Sequence, residues 1–263
     1  MIDLHSHILP EIDDGSKDME MSLSMARLYV ENGFERVVAT CHYFGEGKGP
    51  QIEDLEMAKS ELEDMLDREG IDLKIELGNE LYLSPDIMEN IQSGKALSLA
   101  GSRYILIELP ANEVPDYTED ILYEMQIKGY IPIIAHPERN SKIIRNPNIL
   151  YTLVEKGSMA QLNLHSMTGM YGKDVMNTAA ALLKYNLIHF VGTDSHSDRR
   201  RSPIVKNSLK LLETKVGKER YFRIVYQNPE LLIQDKVINK INPEPVVKRG
   251  LLNGLMNGLL SIG

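Results

Sequence analysis

The sequence of 263 residues has no tryptophan, a single cysteine and no long apolar run. The lone Cys41 excludes an internal disulfide, which fits a reducing cytoplasm. No stretch approaches the roughly 20 apolar residues that a membrane span needs, and the N-terminus has no basic, apolar leader. We therefore expect a cytoplasmic protein without a transmembrane segment. The net charge of −9 lacks the basic excess that general nucleic-acid binding requires, so we expect no nucleic-acid partner.

Short apolar segments alternate with helical patterns along most of the chain. Met19 to Val30 has apolar residues at helical spacing and stops at Asn32-Gly33, whereas residues 36–40 form a β-branched run. The predicted strands cover residues 2–4, 36–40, 73–77, 104–107, 131–135, 159–164 and 189–192. Strands that alternate with helices predict a parallel sheet covered by helices.

Seven such units in one chain of this length predict an α/β fold, a (β/α) barrel with an incomplete eighth unit. An open doubly wound sheet is the alternative. Helical patterns follow the seventh strand, at about 205–216 and 219–226. We see no linker and expect a single domain over residues 1–263. Its apolar tail, residues 249–263, predicts a helix that packs on the body or on another subunit, and a membrane-surface helix is the weaker alternative.

His5-Ser6-His7 lies at the end of the first predicted strand. Residues at i and i+2 project from the same side of a strand, so both imidazoles face one point. Two converging imidazoles suit a divalent metal ion. Taken alone, the pair is better explained as two ordinary polar residues at a strand end.

Ligand-type side chains follow six of the seven predicted strands. In chain order they are His5, His7, His42, Glu80, Glu108, His136, Asp194 and His196. Because the C-terminal ends of parallel strands share one face, these side chains should ring a single pocket. Five of the seven histidines in the chain belong to the set, which random scatter would rarely produce.

Eight imidazole and carboxylate groups are too many for one ion, which typically takes about four to six ligands. The set predicts two or three ions, an arrangement that suits hydrolysis because clustered ions activate water and stabilise developing charge. Mixed nitrogen and oxygen ligands allow manganese, iron or zinc. Arg139 and Arg201 follow two of the ligands and suit bidentate binding of a phosphate ester. The alternative interpretation is that the three arginines at 199–201 form a solvent-exposed loop paired with nearby acidic residues.

These motifs resemble the polymerase and histidinol phosphatase (PHP) superfamily. Within it, the chain is similar to the bacterial manganese-dependent protein-tyrosine phosphatases of capsule and exopolysaccharide operons. The resemblance covers residues 1 to about 235 and rests on His5-Ser6-His7 through Asp13-Asp14-Gly15, His42, Gly78-Asn79-Glu80, Glu108-Leu109-Pro110, His136-Pro137-Glu138-Arg139 and Asp194-Ser195-His196. It implies a distorted seven-stranded TIM-like barrel with extra C-terminal helices, three metal ions with Mn²⁺ preferred, and a phosphotyrosine protein as substrate. The expected partner is the tyrosine-rich tail of a cognate bacterial kinase.

The resemblance also implies a role for each matching position. One ion would bind His5, His7, Glu80 and Asp194, and a second would bind Glu80, Glu108 and His136. The third would bind His42, His196 and one aspartate of the pair Asp13-Asp14, for which we prefer Asp14. Arg139 and Arg201 match the phosphate-binding arginines. The segment Asn163-Leu164-His165-Ser166 departs from the family pattern, so His165 could reach the pocket rim, although we expect it to support the ligands instead.

Two other readings of the same residues stay open. A small-molecule phosphomonoesterase of the histidinol-phosphate type, or a phosphodiesterase, would use the same metal cluster. A barrel that only binds a partner is disfavoured by the complete ligand set. The metal mechanism needs no phosphoenzyme, so Cys41 should be dispensable. His189, inside the predicted strand seven, is expected to be a core or interface histidine. A homo-oligomer through the apolar tail is a further expectation.

Overall fold

In the computed structural model, residues 1–45 and 48–247 are described, and within them seven parallel strands pair in chain order. The strands are β1 Ile2–Ser6, β2 Arg36–Tyr43, β3 Lys74–Tyr82, β4 Tyr104–Glu108, β5 Ile131–Ala135, β6 Met159–Asn163 and β7 Phe190–Gly192. The helices are α1 Met19–Glu31, α2 Ile52–Glu69, α3 Ile87–Gln92, α4 Thr118–Ile127, α5 Ser141–Arg145, α6 Asn148–Glu155, α7 Lys173–Lys184, α8 Lys206–Val216, α9 Lys218–Phe222 and α10 Asn228–Ile233.

The first and last strands of this sheet meet, so the barrel is nearly closed. A single parallel bridge joins Ser6 to Ser195, just beyond β7. The His7 N–H donates to the Ser195 carbonyl and the Asp194 N–H donates to the His5 carbonyl, both at 2.9 Å. The predicted (β/α)₇ barrel is confirmed, with α8, α9 and α10 as the extra C-terminal helices, and the open doubly wound sheet was wrong.

Several strands run further than the sequence pattern indicated. β2 continues to Tyr43 and β3 to Tyr82, so His42 and Glu80 lie in the last residues of their strands rather than after them. His189 precedes β7 instead of lying inside it. The polar ligand residues ended the apolar pattern that the prediction followed, although their backbones still make ladder hydrogen bonds. The short helices α5 and α10 were not predicted.

Helix ends follow local side-chain chemistry. The Asp18 carboxylate accepts a 2.8 Å hydrogen bond from the Met21 N–H and so caps the start of α1. At the other end, Asn32 caps the helix and Gly33 adopts a φ of +85°, a conformation that glycine takes without steric cost. The predicted stop at Asn32-Gly33 is confirmed.

The apolar core consists of two layers, and both leave the barrel mouth free for polar side chains. One layer fills the barrel interior with one or two side chains from most strands, for example Leu4, Val38, Leu106, Ile133 and Phe190. The other, larger layer packs the outer strand faces against the helices. Because the interior layer occupies the N-terminal part of the barrel, inward-facing positions near the C-terminal strand ends are free for charged groups.

A bulge in β1 aims the two N-terminal histidines. The pairing of β1 with β2 slips by one residue between Asp3 and Ser6. Ile2 and Leu4 face the interior before the slip, whereas Asp3 accepts a hydrogen bond from the Tyr29 hydroxyl of α1 at 2.8 Å. The extra residue shifts the alternation, so His5 and His7 also face inward.

The expected apolar tail, residues 249–263, lies outside the described residues. The oligomer that this tail suggested therefore stays a prediction. Among residues 1–45 and 48–247, no helix combines the length and apolarity needed to cross a bilayer.

His189 predicts a pH-dependent stability. Its Nδ1 accepts from the Ala160 N–H at 3.2 Å, and its buried Nε2 has no hydrogen-bond partner in the described part of the chain. Burial, together with the charges of Lys240 and Arg220, lowers the pKa of this imidazole to about 3. Between its unfolded pKa of about 6.5 and this value, unfolding takes up a proton. Stability should therefore fall with falling pH, by up to about 1.4 kcal/mol per unit.

Urea unfolding of the parent and His189→Gln proteins at pH 6.5, 5.5 and 4.5, at equal metal loading, measures this slope. The glutamine variant should lose less stability per pH unit, by about one proton's worth. Equal slopes in the two proteins would refute the assignment, because the remaining titrating groups are common to both.

Candidate metal centre

Glu80 lies at the centre of the barrel mouth, surrounded by histidines from neighbouring strands. Its Oε2 is 3.1 Å from His5 Nε2, 3.4 Å from His7 Nε2 and 3.2 Å from His42 Nδ1. Its Oε1 is 2.8 Å from His136 Nε2. The carboxylate is buried, so one negative charge without solvent is shared by four imidazoles.

Two further carboxylates lie beside this group. Asp194 Oδ1 is 3.5 Å from His5 Nε2, 3.6 Å from His7 Nε2 and 3.4 Å from His196 Nδ1. Glu108, partly exposed, is 3.8 Å from His136 Nε2 and 4.0 Å from His42 Nδ1. The structure thus brings together side chains that are nearly 200 residues apart in the sequence.

Ligand atoms that lie within 4.8 Å of one another form three overlapping groups in the described residues. The groups are His5-His7-Glu80-Asp194, His7-Asp14-His42-His196 and His42-Glu80-Glu108. The first equals the set that the resemblance implied for one ion, and the second adds His7 to the set implied for another. In the third, His42 takes the place expected for His136, although His136 also contacts Glu80 and Glu108.

The two adjacent aspartates have different roles. Asp14 Oδ1 lies 3.4 Å from His42 Nε2 and 3.3 Å from His196 Nε2, and its side chain is 65% exposed. Asp13 Oδ2 instead lies 2.8 Å from His7 Nδ1 and accepts from the His42 N–H, while its Oδ1 accepts from the Gly15 N–H. This geometry favours Asp14 as the ligand and gives Asp13 the role of orienting His7.

The electrostatics of the cluster favour bound positive charge. Burial alone would raise the pKa of Glu80, but His5 and His136 hold it well below its ordinary value. Burial would lower the pKa of His7, yet Asp13 and Glu80 raise it to about 10. Burial and the charge of Glu80 raise the pKa of Glu108. A divalent cation would replace the protons that the carboxylates otherwise attract to the imidazoles.

The residues present fit a metal centre on their own geometry. Glu80 Oε2 and His196 Nε2 are buried and make no hydrogen bond of acceptable geometry within the described chain. Such atoms are costly to bury unless a ligand satisfies them. The donor set of imidazole nitrogens and carboxylate oxygens, without thiolates, suits manganese, iron or zinc.

Supporting residues that the sequence pattern missed hold the ligands in place. Gln161 Oε1 is 2.7 Å from His5 Nδ1, which directs His5 Nε2 toward Glu80. Asn163 Nδ2 donates to Asp194 Oδ2 at 2.8 Å. Gln161 and Asn163 are inward-facing residues of β6, so β6 supports the ligands without carrying one. In the sequence, the alternation of inward- and outward-facing residues along this strand was the signal that could have identified Gln161 and Asn163.

Two candidate ligands have left-handed backbones, with φ of +29° at His136 and +52° at Asp194. Neither residue is glycine, so each conformation is strained, and such strain clusters at functional sites. The twist at His136 starts the short 3₁₀ turn Pro137–Arg139. It therefore aims both His136 and Arg139 toward the mouth.

Arg139 and Arg201 approach one carboxylate from two sides. Arg139 Nη1 donates to Asp194 Oδ2 and Arg201 Nη2 donates to Asp194 Oδ1, each at 2.6 Å. The Arg139 guanidinium also lies over the Tyr171 ring, 4.8 Å from its centroid. Arg199, by contrast, is 92% exposed, so within the basic run it is Arg201 that turns inward.

The other residues singled out from the sequence lie outside the ligand groups. His165 is buried with its Nε2 2.7 Å from the Ser202 carbonyl, a structural contact. His189 lies at the opposite end of the barrel, before β7. Cys41 lies inside β2 and is buried in the outer apolar layer, where burial raises the pKa of its thiol well above its ordinary value. It cannot serve as a reactive thiolate.

The sequence matches a known protein family over most of its length. The family model for capsular polysaccharide synthesis, CpsB/CapC, matches residues 1–234. The chain belongs to the CpsB/CapC family. Among its members, the chain is 38% identical over 251 residues to the tyrosine-protein phosphatase YwqE of Bacillus subtilis, covering 95% of this chain and 98% of YwqE. It is 32% identical over 259 residues to the putative tyrosine-protein phosphatase CapC of Staphylococcus aureus, covering 97% and 100%.

Solved structures of the CpsB/CapC family share this fold. A chain from the crystal structures of Bacillus subtilis YwqE and Streptococcus pneumoniae CpsB, described as unique metal-dependent tyrosine phosphatases, superposes with a TM-score of 0.91 at 38% identity. The match covers 94% of this chain and all of that one. The resemblance drawn from the sequence motifs is confirmed.

Proposed function

We propose that this protein is a metal-dependent protein-tyrosine phosphatase that hydrolyses phosphotyrosine. The observation that carries the proposal is the buried Glu80 among four imidazoles, with two arginines on the neighbouring Asp194. A cation cluster beside a pair of guanidiniums suits a phosphate ester. Relatives that share 38% and 32% of the residues are named tyrosine phosphatases, which supports the same substrate class here.

The proposed ligands are His5, His7, Asp14, His42, Glu80, Glu108, His136, Asp194 and His196. Divalent ions, when bound, would lower the pKa of the attacking water and neutralise charge on the phosphoryl oxygens. We propose Mn²⁺ as the ion, on the resemblance, with iron or zinc as alternatives. Two or three ions would make use of all the ligands.

The chain's own residues position the phosphate and its leaving group. Arg139 and Arg201 would hold the equatorial oxygens, where negative charge is spread in the transition state. Asp194 keeps both guanidiniums oriented, so little reorganisation is needed on binding. A tyrosine leaving group has a pKa of about 10, so strong proton donation is unnecessary.

The physiological partner that we propose is a phosphotyrosine protein, the tyrosine-rich tail of a bacterial kinase that controls capsule or exopolysaccharide synthesis. The family's link to capsular polysaccharide synthesis supports this assignment. The cytoplasmic location expected from the sequence stays a prediction.

The substrate class is tested by comparing rates on a phosphotyrosine peptide, histidinol phosphate and a phosphodiester with the Mn²⁺-loaded protein. We expect kcat/KM to be at least about tenfold higher for the phosphotyrosine peptide. The three substrates differ in their leaving group, and a tyrosine phosphatase must favour the tyrosine leaving group over the others. A faster reaction with histidinol phosphate would favour the small-molecule phosphatase instead. A faster reaction with the diester would favour a phosphodiesterase.

Arg201→Lys keeps the positive charge but loses the planar fork. We expect kcat/KM on the phosphotyrosine peptide to fall about 10- to 150-fold, since a charge-assisted hydrogen bond contributes roughly 1.5–3 kcal/mol. Arg199→Lys is the matched control and should retain activity, because that side chain is 92% exposed. Equal activity of the two variants would remove Arg201 from the proposed phosphate site.

A further inference from the structure

Two aromatic side chains, Phe44 and Tyr82, lie at the rim of the metal centre and have no role in the ligand set. The Phe44 ring is stacked on His42, with ring centroids 5.4 Å apart and planes inclined at 28°. The Phe44 ring also lies beside the Tyr82 ring, at a centroid distance of 5.9 Å. Phe44 remains 49% exposed, so the pair presents an aromatic face to solvent beside the candidate ligands.

Strand register explains why both rings lie above the ligands. His42 pairs with Glu80, and Tyr43 pairs with Leu81, in the ladder between β2 and β3. Phe44 and Tyr82 are each two residues beyond a candidate ligand and therefore on the same side of the sheet. With a rise of about 3.3 Å per residue, they lie roughly 7 Å beyond the ligands along their strands, toward the barrel mouth. This is the next inward-facing layer above the ligand layer.

The position of this layer matches the shape of an aryl phosphate. The arginines lie on the side of β5 and β7, whereas Phe44 and Tyr82 lie on the side of β2 and β3. A phosphate held by the arginines and the ligand layer must direct its ester oxygen outward through the mouth. A phenyl ring on that oxygen would then lie at the depth of the two aromatic side chains. A phosphorylated serine has no ring to place there.

We propose that Phe44 and Tyr82 form an aryl subsite, which receives the phenyl ring of phosphotyrosine and selects aryl over alkyl phosphate esters. The inference rests on the proposed phosphatase function. A ring placed against Phe44 and Tyr82 makes offset or edge-to-face contacts, and it covers apolar surface that is otherwise exposed. Selectivity for tyrosine is then a property of two residues that touch the leaving group.

Phe44→Ala in the Mn²⁺-loaded protein tests the aryl subsite. We expect KM for a phosphotyrosine peptide to rise about tenfold, because an aromatic contact and its buried area are lost. Competitive inhibition by phenylphosphonate should weaken about tenfold as well, whereas inhibition by inorganic phosphate should change less than twofold. Phe44→Trp should restore both values. The matched control is Phe222→Ala, since Phe222 is 58% exposed and lies at the opposite end of the barrel, beside Met1 and Ile2.

Two results would overturn the aryl subsite. Equal weakening of phenylphosphonate and phosphate inhibition would mean that Phe44 only supports His42. Unchanged values in Phe44→Ala would mean that the ring leaves the mouth elsewhere. If the parent protein fails to hydrolyse phosphotyrosine, the proposed function fails separately. Calorimetric titration with phenylphosphonate and phosphate then still decides whether Phe44 binds a phenyl ring.

Discussion

Glu80→Gln is expected to lower kcat/KM on a phosphotyrosine peptide by at least about 1,000-fold. Both carboxylate oxygens of Glu80 face imidazoles, with Oε2 3.1 Å from His5 and Oε1 2.8 Å from His136. The amide lacks the negative charge that would hold a divalent cation, and it presents a donor where an acceptor is needed. The loss of several kcal/mol of charge stabilisation corresponds to about this factor.

Metal content, activity and circular dichroism of the variant should be measured together. We expect the fold to persist and elemental analysis to find fewer ions per chain. Glu76→Gln is the matched control, because Glu76 lies on the same strand and pairs with Arg36 at 2.7 Å near the other end of the barrel. It should keep full activity and metal content. A Glu80→Gln protein with the metal content and rate of the parent would refute the proposed centre.

Removal of metal is expected to abolish phosphotyrosine hydrolysis, and Cys41→Ser is expected to leave it intact. Chelation with EDTA removes the ions on which the proposed chemistry depends, and added Mn²⁺ should restore the rate. Cys41 is buried in β2 with a raised thiol pKa, so it offers no thiolate for a covalent phosphoenzyme.

The measurement is the hydrolysis rate before chelation, after dialysis against EDTA, and after separate addition of manganese, iron and zinc. The rank of the three metals addresses the choice of ion, which the ligand types leave open. Full activity in EDTA-treated protein that elemental analysis shows to be free of metal would contradict the mechanism. Loss of activity in folded Cys41→Ser would contradict it as well.

The sequence predicted the fold because its local patterns agree with the tertiary structure. Apolar strands and capped helices alternate, as at Asn32-Gly33, and the final topology adds the pairing of successive strands. Predicted strand ends were too early at His42 and Glu80, since a polar residue that faces a metal centre interrupts an apolar pattern without ending the strand.

The candidate site was predictable where it depends on strand ends, and less so where it depends on backbone detail. His5, Glu80 and Asp194 come together because parallel strands share a C-terminal face. The bulge in β1 and the left-handed backbone of His136 leave no pattern in a single sequence. The separate roles of Asp13 and Asp14 are visible only in the structure, because motif spacing cannot distinguish two adjacent residues with the same side chain.

The narrow contact between β1 and β7 links catalysis to the integrity of the barrel. A single bridge joins β1 to Ser195, just beyond β7, whereas the other neighbouring strands share ladders. His5 and Asp194 belong to opposite sides of this junction and to the same group of ligand atoms. By thermodynamic linkage, any free energy gained when an ion binds both residues also opposes the opening of the cylinder. Bound cations would thus stabilise the closed barrel as well as support catalysis. Loss of the metal would lower the stability of the fold together with the rate of turnover.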